Sequence, residues 1–255
     1  IDLSTPKVMG ILNATPDSFY SGSRKQTERE IADRANQIMD EGGTFIDVGA
    51  FSTRPGGAVE VSEEEETERL KRAIAIVRRE QPDAPISVDT YRPLVARRCI
   101  EEFGADIIND VSEGGITGIV DTPIHEQGNM FKTVGELKVP YILMSVKSNM
   151  HDMLKAFAEE VQTLRDYGVK DIILDPGYGF GKTLDENYAV LSEAERLLTL
   201  ELPVLVGVSR KSMIFKLIGG DPTTSLNGTT VLNTISLMKG AAILRVHDVR
   251  EAWEC

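Results

Sequence analysis

The chain has 255 residues, of which 41% are hydrophobic and 27% are charged, a composition typical of a soluble globular enzyme. Its 28 basic and 40 acidic residues give a formal net charge of −12, which argues against a nucleic-acid partner, because such binding needs a basic face. The sequence has no apolar run long enough for a transmembrane helix, no signal peptide, and no CxxC pair at Cys99 or Cys255, so we expect a cytoplasmic protein without a membrane partner.

Eight short apolar runs recur along the chain and alternate with stretches of helical character. Strands that alternate with helices form parallel sheets, so eight such units predict an α/β protein with a (β/α)8 TIM-barrel fold. The length suits one barrel, and we expect residues 1–255 to form a single domain whose eighth helix is incomplete. The predicted strands are Lys7 to Asn13, Thr44 to Gly49, Ile86 to Asp89, Asp106 to Asp110, Val139 to Met144, Asp171 to Asp175, Pro203 to Val208 and Ala242 to His247.

Several helix starts are marked by capping boxes, in which a hydroxyl and a carboxylate three residues later satisfy free backbone N–H groups. Pro93 is expected to begin another helix, and apolar spacing predicts a helix from Met153 to Leu164. The capping boxes are Thr27 with Glu30, Ser62 with Glu65, and Thr183 with Glu186.

Long segments rich in Gly, Ser, Pro and Thr follow the first two strands, at residues 14–26 and 50–61, and are typical of mobile lids. The acidic run Glu63 to Glu66 resembles a metal site, but its place in a first helical turn favours an interaction with the helix dipole. The stretch from Glu113 to Gln127 matches no regular element.

Polar side chains end most predicted strands, and the carboxyl ends of barrel strands form the active site in TIM-barrel enzymes. Asp89, Asn109 and Asp175 are expected to project into one mouth, where two carboxylates repel and raise a pKa. A flat heterocycle with adjacent N–H donors, such as a 2-aminopyrimidinone, would pair with a carboxylate and relieve this repulsion. Turn or cap roles for these residues, or a divalent metal between the carboxylates, are the alternatives.

Basic residues follow the last two strands, where TIM barrels often bind phosphate. Lys211 lies in the string Ser209 to Ser212, and Arg245 and His247 alternate along the eighth strand, so both side chains can point to the same side. This arrangement predicts an oxyanion or diphosphate site. An arginine paired with a nearby carboxylate is the alternative for Arg245.

Two further residues precede or lie in the long loops. Asn13 ends the first strand, and a neutral oxygen beside a diphosphate suits Mg²⁺, which keeps several waters and takes few protein ligands. Arg54 lies in a proline- and glycine-containing loop from Ser52 to Gly56, where it could close over a bound anion.

Seven strings along almost the whole chain resemble, in order, those of the dihydropteroate synthase family, folate-pathway enzymes that join a dihydropterin to 4-aminobenzoate. The strings are M-G-I-L-N-A-T-P-D-S-F (Met9 to Phe19), S-T-R-P-G (Ser52 to Gly56), S-V-D-T (Ser87 to Thr90), I-I-N-D-V (Ile107 to Val111), D-P-G-Y-G-F-G-K (Asp175 to Lys182), S-R-K-S (Ser209 to Ser212) and R-V-H-D-V (Arg245 to Val249).

The resemblance implies the reaction and the residues that carry it. The substrates would be 6-hydroxymethyl-7,8-dihydropterin diphosphate and 4-aminobenzoate, the products 7,8-dihydropteroate and diphosphate, the cofactor Mg²⁺ and the assembly a homodimer. The implied pterin ligands are Asp89, Asn109, Met144, Asp175 and Lys211. The implied diphosphate ligands are Thr53, Arg54, Arg245 and His247, with Asn13 on Mg²⁺. The implied 4-aminobenzoate neighbours are Thr53, Pro55, Phe180 and Ser212, under a lid carrying Asp17 and Phe19.

The implied mechanism is a substitution at the pterin CH₂–O carbon. Mg²⁺, Arg245 and His247 would stabilise the departing diphosphate, and Asp89 or Asp175 would offset the positive charge left on the pterin. Lys211 completes the implied catalytic set, and no protein nucleophile is required.

Two positions depart from the family pattern. Phe51 stands where a glutamate commonly precedes S-T-R-P-G, and Ser145 follows Met144 where many members have histidine. We expect altered lid packing from the first and altered pocket detail from the second. The alternative functions are a barrel methyltransferase acting on methyl-tetrahydrofolate and a catalytically silent pterin-binding module, and the diphosphate-binding strings argue against both.

Overall fold

The computed structural model describes residues 2–14, 21–50, 61–115 and 129–255, with the backbone alone for 21–26. Eight parallel strands form one sheet in which neighbours follow chain order and the first strand pairs with the last. A parallel bridge from Leu174 to Val204 connects the sixth and seventh strands, so the sheet curves into a barrel. The strands are β1 Lys7–Asn13, β2 Phe45–Gly49, β3 Ile86–Asp89, β4 Ile107–Asp110, β5 Tyr141–Met144, β6 Ile172–Asp175, β7 Leu205–Val206 and β8 Ile243–Val246.

Helices connect successive strands around the outside of the barrel, which confirms the expected (β/α)8 fold. The described α-helices are α1 Ser21–Asp40, α2 Glu63–Glu80, α3 Pro93–Glu101, α4 Met130–Leu137, α5 Met150–Asp166, α6 Leu184–Ser192, α7 Ser212–Ile218, α8 Leu226–Met238 and α9 Val249–Trp253. Short 3₁₀ helices lie at Glu113–Gly115, Ala194–Leu200 and Pro222–Thr224. Among the described residues, no helix is long and apolar enough to cross a membrane.

Two of the predicted helix caps are present in the structure. Ser62 accepts a hydrogen bond from the backbone N–H of Glu65, and Thr183 forms the complete capping box with Glu186. Pro93 occupies the first turn of α3, as expected for a residue without an N–H to satisfy.

The prediction for the start of α1 was wrong. Thr27 lies inside the helix, which begins at Ser21, so residues 21–26 of the predicted loop are helical. The first turn of α1 was not predicted because its residues Ser21, Gly22 and Ser23 have low helix propensity. The Arg, Lys and Gln that follow favour a helix.

Strand β7 is much shorter than the predicted Pro203 to Val208. Pro203 has no N–H to donate to a ladder, and its carbonyl instead accepts from Leu174 at 2.9 Å. The other strand predictions agree with the structure to within two residues at each end.

The interior of the barrel is layered, because alternate residues of each strand point inward. An apolar cluster fills the amino-terminal half, and the inner position two residues further along each strand is often polar. The apolar cluster is Met9, Phe45, Ile107, Ile142, Ile173, Leu205 and Ile243. The residues two positions further along are Ile11, Asp47, Asn109, Met144, Asp175, Gly207 and Arg245.

Candidate active site

An ion-paired arginine lies inside the mouth of the barrel. The Nε of Arg245 donates to Asp47 Oδ2 at 2.7 Å, and its Nη2 donates to Asp89 Oδ2 at 2.9 Å. Asp47 is fully buried, and the side chain of Arg245 is 20% exposed. Arg245 is therefore paired with two buried carboxylates, which is the arrangement given above as the alternative for this arginine.

Two buried acceptor oxygens in this group, Asp89 Oδ1 and Asn109 Oδ1, have no hydrogen-bond partner among the described residues. Asp89 and Asn109 are register partners on β3 and β4, so their side chains point to the same side of the sheet. Buried polar atoms are normally hydrogen-bonded, and an orphaned pair at one site indicates a ligand that supplies donors. The predicted donor-rich ligand fits this arrangement.

Burial raises the pKa of Asp89, an effect that Arg245 opposes and that the negative charge of Asp47 strengthens. Burial also raises the pKa of Asp175, against the opposing charge of Lys211 and a hydrogen bond of 2.7 Å from the N–H of Gly177. A ligand that brings N–H donors would stabilise the ionised form of both carboxyls, because hydrogen bonds to a carboxylate favour that form.

The opposite side of the mouth carries Lys211 and an apolar surface. The Nζ of Lys211 donates to the carbonyl of Tyr178 and lies 4.6 Å from the centre of the Phe180 ring. Phe180 packs with Met144 and Val111 in a small apolar cluster that a flat ring can cover.

Gly207 leaves a gap between the two cations. A Cβ at this position would lie 3.9 Å from Arg245 Cβ and 4.0 Å from Lys211 Nζ. A larger side chain at this position would contact both residues. Ser212, the first residue of α7, follows Lys211 directly and is half-buried.

His247 is positioned by Ser209 from the neighbouring strand end. The backbone N–H of His247 donates to Ser209 Oγ at 3.1 Å, and the same oxygen lies 3.0 Å from the ring Nδ1. When the Ser209 hydroxyl donates to Nδ1, the ring carries its proton on Nε2 and can donate to an anion. Arg210, from the same basic string, instead bonds both oxygens of Asp248 at 2.8 Å.

Asn13 ends β1 with an exposed side chain, next to Gly49 of β2. A single neutral oxygen from the protein fits a hydrated Mg²⁺ whose other ligands are waters and substrate phosphate oxygens. Within the described ranges, no group of three or more His, Cys, Asp or Glu residues is arranged for a metal. The acidic run Glu63 to Glu66 forms the first turn of α2, where acidic side chains interact favourably with the helix dipole. Glu66 is buried and contacts Thr90 and Arg92.

Part of the predicted site lies outside the described residues. This holds for the loop positions implied for the diphosphate and the 4-aminobenzoate, for the first lid, and for one of the two departures from the family pattern. These residues are Asp17, Phe19, Phe51, Thr53, Arg54 and Pro55, and the unassigned stretch is described only from Glu113 to Gly115.

Sequence reasoning missed Asp47, which looked like an ordinary mid-strand residue. The inward alternation of β2 was the available signal, because a charged residue on an inner face needs a partner. It also missed Lys182, whose Nζ donates to the carbonyls of Ser145 at 3.1 Å, Gly177 at 3.0 Å and Phe180 at 3.2 Å. This contact connects the β5 and β6 loops below Phe180.

Lys182→Met is expected to lower the free energy of unfolding by about 1–3 kcal/mol, because three carbonyls lose a charged donor. Burial lowers the pKa of Lys182 to about 8, so below that pH the cost of burying its charge offsets part of the gain from the three hydrogen bonds, and this cost shrinks as pH rises towards 10. Urea unfolding at pH 7 would measure the loss, with the exposed Lys155→Met as control. Equal midpoints for both variants would contradict the expectation.

The sequence matches the family described as pterin binding enzyme over residues 9–247. The dihydropteroate synthase of Escherichia coli K12 is 40% identical over 266 aligned residues, which cover 100% of this chain and 90% of that protein.

Solved structures give the same result. A Yersinia pestis dihydropteroate synthase in complex with a sulfonamide drug has a TM-score of 0.85 and 34% identity, covering 100% of this chain and 93% of the other. The Xanthomonas albilineans enzyme with 4-aminobenzoic acid has a TM-score of 0.86 and 32% identity, covering 99% and 91%. The chain therefore belongs to the dihydropteroate synthase family of pterin-binding enzymes, which are transferases of folate biosynthesis.

Proposed function

We propose that this chain performs the dihydropteroate synthase reaction at the barrel mouth, with Asp89, Asn109 and Asp175 accepting hydrogen bonds from the pterin ring. The observation that carries this proposal is the pair of buried orphan acceptors on Asp89 and Asn109. The ring N–H and exocyclic amine of a pterin are adjacent donors that match such acceptors.

The pterin face would lie on the apolar cluster that contains Met144 and Phe180, with Lys211 at the edge of this surface. A flat aromatic ring buries a large area on such a surface, and its polar edge meets the carboxylates. Ser212 and Phe180 would adjoin the 4-aminobenzoate. The family-implied contacts of Thr53, Pro55 and Phe19 with that substrate belong to the same proposal.

The diphosphate would bind where the cations converge. The side chain of Arg245 is 20% exposed, and His247 donates from Nε2 when the Ser209 hydroxyl donates to its Nδ1. Thr53 and Arg54 are the proposed contributions from the loop after β2.

Asn13 would hold Mg²⁺ together with the diphosphate. When bound, this cation neutralises charge that develops on the leaving group. The observation that supports this role is the exposed position of Asn13 at the end of β1.

In the proposed reaction the carbon–oxygen bond to the diphosphate breaks first. Arg245 and His247 donate to the leaving oxygens as their charge grows, while Asp89 or Asp175 offsets the positive charge on the pterin. The arylamine nitrogen then forms the new carbon–nitrogen bond and loses a proton. Holding both reactants in place can contribute about 7–11 kcal/mol to the lowering of the barrier.

The test is diphosphate release from 6-hydroxymethyl-7,8-dihydropterin diphosphate with Mg²⁺, in the presence and absence of 4-aminobenzoate. We expect release that depends on the arylamine, with dihydropteroate as product. Pterin binding without release would favour the silent module, and methyl transfer from methyl-tetrahydrofolate would favour the methyltransferase.

We also propose that residues 1–255 act as a single pterin-binding domain that forms a homodimer in the cytoplasm. Large apolar side chains are exposed on α7 and α8, which suits a subunit contact. Both cysteines are free, which fits a reducing compartment. Light scattering on the purified protein would measure the mass of the assembly and so distinguish a homodimer from a monomer. The exposed side chains are Leu217, Ile218, Val231 and Met238.

A further inference from the structure

We infer that Asp47 is a positioning residue that sets the donor and acceptor polarity of the pterin pocket and so selects a 2-amino ring over a 2-oxo ring. This inference rests on the proposed function, because it concerns the pterin edge that meets Asp89 and Asn109. Asp47 itself is fully buried and acts through its neighbours.

The placement of Asp47 follows from the register of the barrel. On β2 it lies two residues after the inward-facing Phe45, and its register partner on β1 is Ile11. A carboxylate at this depth has no access to water, so its oxygens need donors from the protein. Arg245 supplies the charge, and the amide of Asn109 supplies a second donor.

The carboxylate of Asp47 fixes the orientation of the Asn109 amide. The carboxylate oxygens of Asp47, which pair with Arg245, accept hydrogen bonds, and the Nδ2 of Asn109 faces them at 3.4 Å from Oδ1 and 3.3 Å from Oδ2. The Oδ1 of Asn109 is then turned away from Asp47 and has no partner in the described part of the chain. Asn109 therefore presents an acceptor to the ligand, although an amide can present either group.

Arg245 extends the same effect to Asp89. Asp47 Oδ2 lies 2.7 Å from both Nε and Nη2 of Arg245, and the Nη2 held in this way also donates to Asp89 Oδ2 at 2.9 Å. Asp89 Oδ1 is left without a partner among the described residues. Both oxygens can therefore accept hydrogen bonds from a ligand, and no donor among the described residues bonds to them.

A pocket edge made of acceptors discriminates between rings by the sign of the hydrogen bond. A 2-amino group donates to it, whereas a 2-oxo group places an acceptor against acceptors and leaves buried groups unpaired. With an asparagine at position 47, the neighbouring amide of Asn109 can turn and present Nδ2, so the 2-oxo ring regains a partner.

The experiment compares calorimetric affinities for 6-hydroxymethylpterin and for 6-hydroxymethyllumazine, its 2-oxo analogue. We expect the wild-type chain to prefer the pterin by about 100-fold or more, and Asp47→Asn to reduce that preference by about tenfold or more. A general structural role for Asp47 would weaken both ligands equally and leave the ratio unchanged.

Asp110→Asn is the matched control. Asp110 is also a fully buried carboxylate, but its partners are Ser112, Gly114 and Tyr141. This variant is expected to change stability and keep the ratio of the wild type. If Asp47→Asn does not fold, Asp47→Ser removes the same constraint and should give the same loss of preference.

A folded position-47 variant that keeps the wild-type ratio would overturn the inference. A wild-type chain without preference would overturn it as well. Arylamine-dependent diphosphate release by the wild type, measured separately, would show that the proposed function stands in either case.

Discussion

Asp89→Ala is expected to lower kcat/KM by about 100-fold, because the pterin loses a charge-assisted hydrogen bond worth about 1.5–3 kcal/mol. The fold should persist, since Arg245 keeps its contact with Asp47 at 2.7 Å when Asp89 is removed. Lys211→Ala should have a comparable effect from the other side of the mouth, where its Nζ lies beside Phe180. Steady-state kinetics with the dihydropterin diphosphate varied would measure both losses.

Asp106→Ala is the control for this comparison. Asp106 precedes β4 at the opposite end of the barrel, where it pairs with Arg78 and accepts from the N–H of Ile86 at 2.8 Å. We expect a loss of stability there without a loss in kcat/KM. Near-normal turnover of a folded Asp89→Ala or Lys211→Ala protein would remove that residue from the proposed machinery.

Arg245→Gln is expected to reduce the free energy of unfolding by about 3–5 kcal/mol at pH 7.5, because two buried carboxylates lose their shared cation. Activity should be lost in the same variant, since the proposed diphosphate site loses a cation. Urea titration would measure the destabilisation. Arg29→Gln is the control, because its ion pair with Asp33 is 3.6 Å long and largely exposed, and such pairs contribute about 0.3–0.5 kcal/mol.

The deficit of Arg245→Gln should shrink at acidic pH. Burial raises the folded-state pKa of Asp89, and removing the opposing charge of Arg245 raises it further. A carboxyl with a raised folded-state pKa binds more protons in the folded than in the unfolded state, so stability increases as pH falls through that pKa. A deficit that stays constant between pH 8 and pH 5 would show that Asp89 is not the strained group.

The placement of the strand-end residues was predictable because a barrel has a simple geometry. Parallel strands bring all their carboxyl ends to one face, so Asp89, Asn109, Asp175 and Arg245 had to share a mouth once eight β/α units were recognised. Local hydrogen bonding fixed the caps at Ser62 and Thr183 for a similar reason, since each needs only residues of its own helix turn.

The pairings inside the mouth required the tertiary structure. Arg245 and Asp47 are 198 positions apart, and Lys182 reaches Ser145 across 37 positions. Neither pair has a spacing that a local pattern could reveal. Which carboxylate holds the guanidinium depends on distances across the barrel and on how deeply each group is buried.

The sequence by itself determined the barrel, the order of its strands, the family and the residues at the mouth. These properties depend on period-two alternation, helical spacing and motif strings, which are local patterns in the sequence. Only the tertiary structure decided that Arg245 is held by Asp47, that Asn109 and Asp89 present acceptors, and that Lys182 binds three loop carbonyls. Those properties arise from desolvation and from partners distant in sequence, and both exist only once the chain has folded.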